Sequence, residues 1–307
     1  MQLSIIIPVY GSPESIKELC ERVSTSLRGL VDSFEIILVD DECPDDSWSE
    51  IKKTTQTLPN VIGLKLSRNF GQHKAICAGL HESKGDYCVV MDCDLQDLPE
   101  DIPTLYEKAK EGNDVVLGQR IERQDKKFKV LKSKVFYYFF NLLSGLNSDP
   151  TVANFSIISR KVVTAYLSFK EQDIDYTNVI NWLGFDAVKI PVRHAERKYG
   201  ESSYNYWKLM ELAFTLIISE SNKPLRFSVK FGFLLSIISF LYGLYIMYKK
   251  FVFGVPIQGW TSVMVSIYFI GGLLFANMGV LGLYIGKIFK ENKARPRFVV
   301  SKRLTSK

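Results

Sequence analysis

The chain has 307 residues, enough for one large domain or for a domain with an appendage, and it contains no internal repeat and no low-complexity stretch. Its net charge of +6 is gathered beside two long uncharged runs near the carboxyl end, which makes nucleic acid a poor partner and anionic lipid headgroups or a lipid phosphate better ones. Five cysteines, odd in number and without a CxxC pair, exclude a disulfide scaffold and a zinc site and read as reduced thiols. The three histidines lie far apart and offer no metal-ligand pattern.

The opening "MQLSIIIPVY" has no basic segment ahead of a long apolar run, so no signal peptide is expected. From there the first 120 residues alternate short β-branched runs with helical patterns. "LSIIIPV", "FEIILVD", "VIGLKL", "DYCVVMD" and "DVVLG" are short β-branched runs expected to be strands buried on both faces. Between them, "SPESIKELCERVSTSL", "DSWSEIKKTTQTL", "QHKAICAGLHES" and "LPEDIPTLYEKAKE" predict helices, several opened by Ser, Asp or Pro. This alternation predicts an α/β domain around a mostly parallel sheet, whose ligands bind beyond the carboxyl ends of the strands.

After Gly118 the pattern changes. "FKVLKSKVFYYFFNLLSGL" (128–146) and the apolar segment over 205–221 are too short to cross a bilayer, and read either as interfacial helices or as caps on the core. Phe231–Tyr248 and Phe251–Gly286 carry no charged residue. Eighteen such residues make about 27 Å of helix, close to the thickness of a bilayer's hydrocarbon core. Two spans are therefore predicted, near 229–249 and 260–287, with a pair of buried core helices as the alternative. The resulting organisation is a domain over 1–222, a two-helix region over 223–290 and a basic tail over 291–307. Lys223, Arg226 and Lys230 precede the first span and Lys287, Lys290, Lys293, Arg295 and Arg297 follow the second, while the connection offers only Lys249 and Lys250. The positive-inside rule then puts both the large domain and the tail on the cytoplasmic side.

The stretch "MDCDLQDLPE" (91–100) crowds Asp92, Asp94, Gln96, Asp97 and Glu100 just past an apolar strand. Like charges so close repel unless a cation lies between them. Two carboxylates and an amide oxygen suit a hard divalent ion that completes its shell with water and substrate phosphates. A lone DxD occurs in many surface turns. At the end of the fourth strand, with Asp40–Asp41 ending an earlier one, it becomes a site candidate.

"SIIIPVY", "VDDECPDDS", "SRNFGQHKAICAGL", "GDYCVVMDCDLQDLPE", "RKYGESSY", "PLR" and "ENKARPRFVV" occur in one order over essentially the whole chain. Together they resemble the membrane-anchored glycosyltransferase family 2 enzymes that glycosylate polyprenyl phosphates, of the bactoprenol glucosyltransferase and dolichol-phosphate mannose synthase types. The resemblance implies a GT-A fold, a UDP- or GDP-linked sugar donor, Mg²⁺ or Mn²⁺ on its diphosphate, undecaprenyl phosphate as acceptor, and a homo-oligomer in the bacterial inner membrane. By position, Pro8, Tyr10 and Asp40 would line the nucleotide pocket. Asp92 would lie near donor or metal, with Asp94 and Gln96 as metal ligands. Arg120, Lys129 and Ser133 would meet the lipid phosphate, and Arg197 and Ser202 would belong to a loop closing over the donor.

The sequence departs from that pattern at Asn154, where relatives usually carry an acidic residue taken as a catalytic base. The expectation is that Asn154 orients phosphate or sugar instead. Gly11-Ser12, Glu42-Cys43 and Ser203 also differ from the usual residues, which leaves the donor's base and sugar open. A processive polysaccharide synthase would share the α/β domain, but "QxxRW" and further spans are missing from this sequence. A non-catalytic nucleotide-sugar-binding membrane module is the remaining alternative.

Overall fold

A computed structural model describes residues 2–120, 152–172, 174–195, 221–253 and 259–305. Lys129, Ser133, Arg197 and Ser202 lie outside the described residues, as do the segments 128–146 and 205–220.

The amino-terminal alternation folds as its periodicity predicts: β1 (Leu3–Val9), α1 (Pro13–Leu27), β2 (Phe34–Asp40), α2 (Ser47–Thr57), β3 (Val61–Leu66), α3 (Gln72–Glu82), β4 (Tyr87–Val90), a 3-10 turn (Pro99–Asp101), α4 (Ile102–Lys110) and β5 (Val115–Arg120). Then come β6 (Val152–Ser159), α5 (Arg160–Ser168), α6 (Tyr176–Trp182), β7 (Ala187–Val192), α7 (Lys223–Phe253), α8 (Trp260–Asn292) and β8 (Val300–Thr305). Every residue of β1 is buried. Its alternate side chains enter different cores, because successive residues of a strand point to opposite faces. Ile5 and Ile7 pack with residues of α1 and α4, whereas Ile6 packs with residues of α3, α5 and α6. Helix α1 starts on Pro13 and buries Ile16, Leu19, Cys20, Val23 and Leu27, a stripe at three- and four-residue spacing. Helix α3 approaches β1 so closely that a Cβ on Gly79 would lie 2.4 Å from Ile6 Cγ2. Alanine there would push the helix off the sheet.

The eight strands form one sheet in the order β7-β5-β6-β4-β1-β2-β3-β8. Pairs β1–β2, β1–β4, β2–β3 and β5–β7 are parallel, while β4–β6, β5–β6 and β3–β8 are antiparallel. The sheet is thus more mixed than expected, because β6 is inserted antiparallel between β4 and β5. The strand order reverses at β1, with β2 on one side and β4 on the other, and a crevice opens beyond carboxyl strand ends at such a point. Tyr10, Asp40 and Asp92 stand at or just past the carboxyl ends of β1, β2 and β4.

The stretch read as a basic tail runs back to the sheet. Residues 294–305 group with the sheet domain, and β8 pairs antiparallel along β3. Arg297 donates to the Glu171 carbonyl at 3.0 Å, and Phe298 packs edge-on against His81. The physical reason is that β3 would otherwise present an open edge, and "VSKRLT" covers it with a strand rich in exposed polar side chains.

Residues 221–293 form a separate compact unit. Helices α7 and α8 have 31 and 33 residues, about 46 and 50 Å, longer than the spans expected over 229–249 and 260–287. Both are long and apolar enough to cross a membrane, and neither is buried. Within this unit the Tyr284 hydroxyl donates to the Ser221 carbonyl at 2.7 Å, and Ser228 contacts Asn277 across the helix pair. The five cysteines are free and buried, in agreement with reduced thiols.

Candidate active site

Three strand ends build the site. At the end of β1, buried Pro8 leads into Tyr10, whose ring is exposed. At the end of β2, Asp40 is fully buried. Its Oδ1 accepts from the Cys43 N–H at 3.1 Å, its Oδ2 has no hydrogen-bond partner, and Lys65 Nζ stands 3.8 Å from it. The same Lys65 lies 3.3 Å from Glu42. Asp41 has a different task. Its two oxygens accept the N–H groups of Phe70 and Gly71, each at 2.7 Å, and so tie down the loop that opens α3. Gly71 sits at φ +96°, where a side chain would be strained, and this turn delivers Gln72 and His73 to the first turn of α3.

The third strand end is the acidic stretch. β4 stops at Val90, so Asp92 and Asp94 belong to the turn that follows and not to the strand. Asp92 Oδ1 accepts from Gln72 Nε2 at 2.6 Å. Asp94 Oδ1 accepts the Gln96 N–H at 3.1 Å. Fully buried Asp97 pairs with Arg120 Nη2 at 3.2 Å and lies 3.6 Å from His194 Nδ1. The Asp92 carboxyl is pushed up to about 7, first by burial and then by the negative charges of Asp97 and Asp94. Arg120 and a hydrogen bond from Asn154 pull the other way. Asn154 reaches Asp92 because β6 runs antiparallel to β4. Val90 pairs with Ser156, so two residues on along β4 lie opposite two residues back along β6.

Ser12, Glu42 and Leu95 have φ of 60°, 52° and 61°. Each follows one of these strand ends, and such backbone costs about 1–3 kcal/mol per residue unless its surroundings enforce it. The chain after β7 closes the far side. Ala195 N–H donates to the Gln96 carbonyl at 2.9 Å, and Arg193 donates to the Asp101 carboxylate at 2.6 Å.

Of the sequence candidates, the structure brings Asp92, Asp94, Gln96, Arg120 and Asn154 together around one turn. Pro8, Tyr10 and Asp40 stand at the neighbouring strand ends. Arg120 is engaged by Asp97, and its buried Nε has no partner. Asp97, Gln72 and His194 are additions. Asp97 stood in the acidic stretch and Gln72 in "SRNFGQHKA", whereas nothing local marks His194, which arrives from a distant strand.

Among the described residues no group of three or more His, Cys, Asp or Glu could hold a metal by itself. Asp92, Asp94 and Gln96 nevertheless fit an ion that takes a few hard oxygen ligands from protein and the rest from water and diphosphate. Burial raises Asp92 most, and the further repulsion from Asp97 and Asp94 is what a cation there would offset.

Residues 4–167 match the family described as Glycosyl transferase family 2. The chain belongs to that family. It is a glycosyltransferase. It is 35% identical over 304 residues to the bactoprenol glucosyl transferase of Shigella phage SfX, covering 99% of this chain and 100% of that one. It is 34% identical to the undecaprenyl-phosphate 4-deoxy-4-formamido-L-arabinose transferase of Klebsiella pneumoniae, over 98% and 93% of the two chains. Among solved structures, a mannosyltransferase from Pyrobaculum calidifontis, determined with GDP-Man and Mn²⁺, aligns with a TM-score of 0.50 at 14% identity, over 95% and 85% of the two chains. A glucosyl-3-phosphoglycerate synthase from Mycobacterium tuberculosis, determined with Mn²⁺, UDP and phosphoglyceric acid, aligns with a TM-score of 0.50 at 18% identity, over 71% and 76%. These solved structures share the GT-A fold of this glycosyltransferase.

Proposed function

We propose that this glycosyltransferase moves a sugar from a nucleotide-sugar donor to a polyprenyl phosphate, undecaprenyl phosphate in a bacterium, at the cytoplasmic face of the membrane. The observation that carries this reading is end-to-end similarity, helix pair included, to one relative named for bactoprenol and another named for undecaprenyl phosphate. Helices α7 and α8 hold the enzyme in the bilayer, with their flanking lysines and arginines on the cytoplasmic side. The product is a polyprenyl-phosphate-linked sugar for modifying a cell-envelope glycan, and the protein works as a homo-oligomer.

Pro8, Tyr10 and Asp40 would hold the nucleotide, and Asp92, Asp94 and Gln96 would hold Mg²⁺ or Mn²⁺. When bound, such a cation offsets the charge that builds on the departing nucleoside diphosphate. Arg120, fixed by Asp97, joins Lys129 and Ser133 in receiving the lipid phosphate, while Arg197 and Ser202 close over the donor. A phosphate monoester has its second pKa near about 6, so at neutral pH the acceptor is already mostly dianionic. It needs no strong base, which is why the amide of Asn154 is compatible with activity. A single displacement on the anomeric carbon inverts it.

The test is a transfer assay on the full chain in detergent with undecaprenyl phosphate, Mg²⁺ or Mn²⁺, and a panel of UDP-, GDP- and dTDP-sugars. One glycolipid from one donor, lost on chelation of the metal, is expected. Sugar polymer growing without the lipid, or no release of nucleoside diphosphate from any donor, would overturn the reading.

A further inference from the structure

The mechanism leaves unexplained why α6, which touches neither donor nor acceptor in that scheme, is tied so closely to the first turn of α3. His73 accepts the Tyr176 N–H on Nδ1 at 3.1 Å, so its proton sits on Nε2, which donates to Asp175 Oδ2 at 3.1 Å. Asp175 is also the N-cap of α6, accepting the Asn178 N–H at 2.9 Å. Two residues after Asp175, Thr177 donates its hydroxyl to Asn154 Oδ1 at 3.2 Å. With Oδ1 occupied this way, the Asn154 NH₂ faces Asp92. The opposite flip would set an amide oxygen against a carboxylate already crowded by Asp94 and Asp97. Asp92 returns the chain to its start by accepting from Gln72, the neighbour of His73.

We infer that this closed ring (Asp92, Gln72–His73, Asp175–Thr177, Asn154) is a positioning device that aims the Asp92 carboxylate, and that Thr177 is the residue that sets the Asn154 amide for this purpose. The inference rests on the proposed place of Asp92 at the donor and metal. It also gives Asn154 a role beyond the one expected from sequence, that of holding Asp92. An acid at 154 would remove a donor and add a fourth negative charge to Asp92, Asp94 and Asp97.

The test is a double-mutant cycle on the full-length protein in detergent. Thr177→Val, Asn154→Ala and the double variant are compared for sugar transfer, and separately for binding of Mn²⁺ with UDP or GDP by calorimetry. If Thr177 acts through Asn154, Thr177→Val lowers kcat about tenfold with donor KM nearly unchanged, and Thr177→Ser restores it. In the Asn154→Ala background the same change then has no further effect, because residues acting as one unit are not additive. Asn154→Asp lowers turnover as well. Additive single effects, failure of serine to rescue, or a gain of turnover in Asn154→Asp would overturn the ring while leaving the glycosyltransferase reading intact. A wild-type protein that neither transfers sugar nor binds Mn²⁺ with either nucleotide would remove both.

Discussion

Two acidic strand ends flank β1 in this sheet, and they solve the same electrostatic problem in different ways. After β2, Asp41 accepts two backbone N–H groups at 2.7 Å each, and the pair with Asp40 is backed by Lys65. After β4, Asp92 and Asp97 take side-chain donors, from Gln72 and Arg120, while Asp94 accepts a backbone N–H and adds its charge to the cluster around Asp92. Backbone donors cannot leave, so Asp41 is a permanent staple for the loop ahead of α3. Side-chain donors and residual repulsion leave the second cluster ready for a cation. The lesson is that "DD" and "DxD" look alike as letters, and the nature of the partner group separates structural carboxylates from chemical ones.

The largest effect is expected at Asp94, one of the two carboxylates that crowd Asp92. Asp94→Ala is expected to cut sugar transfer by roughly a thousandfold, about 4 kcal/mol of transition-state stabilisation, while the thermal midpoint stays within a degree or two. A midpoint that fell in step with activity would mean that the DxD turn is scaffolding after all. Asp97→Ala comes next. It strands the Arg120 guanidinium beside a cavity and removes a fully buried partner, for an expected loss of about 3 kcal/mol in denaturant unfolding of the sheet domain. Asp41→Ala leaves two partly buried N–H groups unpaired and should cost about 2 kcal/mol. Its mark is faster hydrogen exchange at Phe70 and Gly71, and unchanged exchange there would undo the staple.

The smallest effect belongs to the rim of the second cluster. Arg22 grips Glu100 with two hydrogen bonds, at 2.9 and 2.8 Å, and holds that carboxyl below its ordinary range. A depressed acid contributes stability that is fully present above the unfolded-state value, about 4.3 for glutamate, and that is lost as pH falls through the lower folded value. Both side chains are substantially solvated, so Arg22→Ala should cost less than about 1 kcal/mol at pH 7. The difference from wild type should vanish toward pH 3, and a difference that persisted there would mean the arginine acts through packing.

Much of this architecture was legible in the sequence. The short continuous β-branched runs located β1 to β5 and the helical patterns located α1 to α4, because burial on both sheet faces and on one helix stripe dictates those patterns. The uncharged runs located α7 and α8, because length and lack of charge are what a membrane span requires. The acidic letters after β4 located the site. Less legible were β6, read only as the motif around Asn154, and β8, read as a basic tail, because pairing with a distant strand leaves no local period. Asp97, Gln72, His194 and Thr177 became site residues only when remote segments met.

By itself, then, the sequence determined the elements whose stability comes from local patterning, and the types of oxygen ligand gathered at one strand end. Tertiary structure decided the partners. The antiparallel insertion of β6 beside β4 turned Asn154 toward Asp92, the pairing of Asp97 with Arg120 set the charge of the pocket, and the return of β8 closed the sheet's edge. Hydrogen bonds and ion pairs act over about 3–4 Å, whatever the separation along the chain, so only the folded sheet could select them.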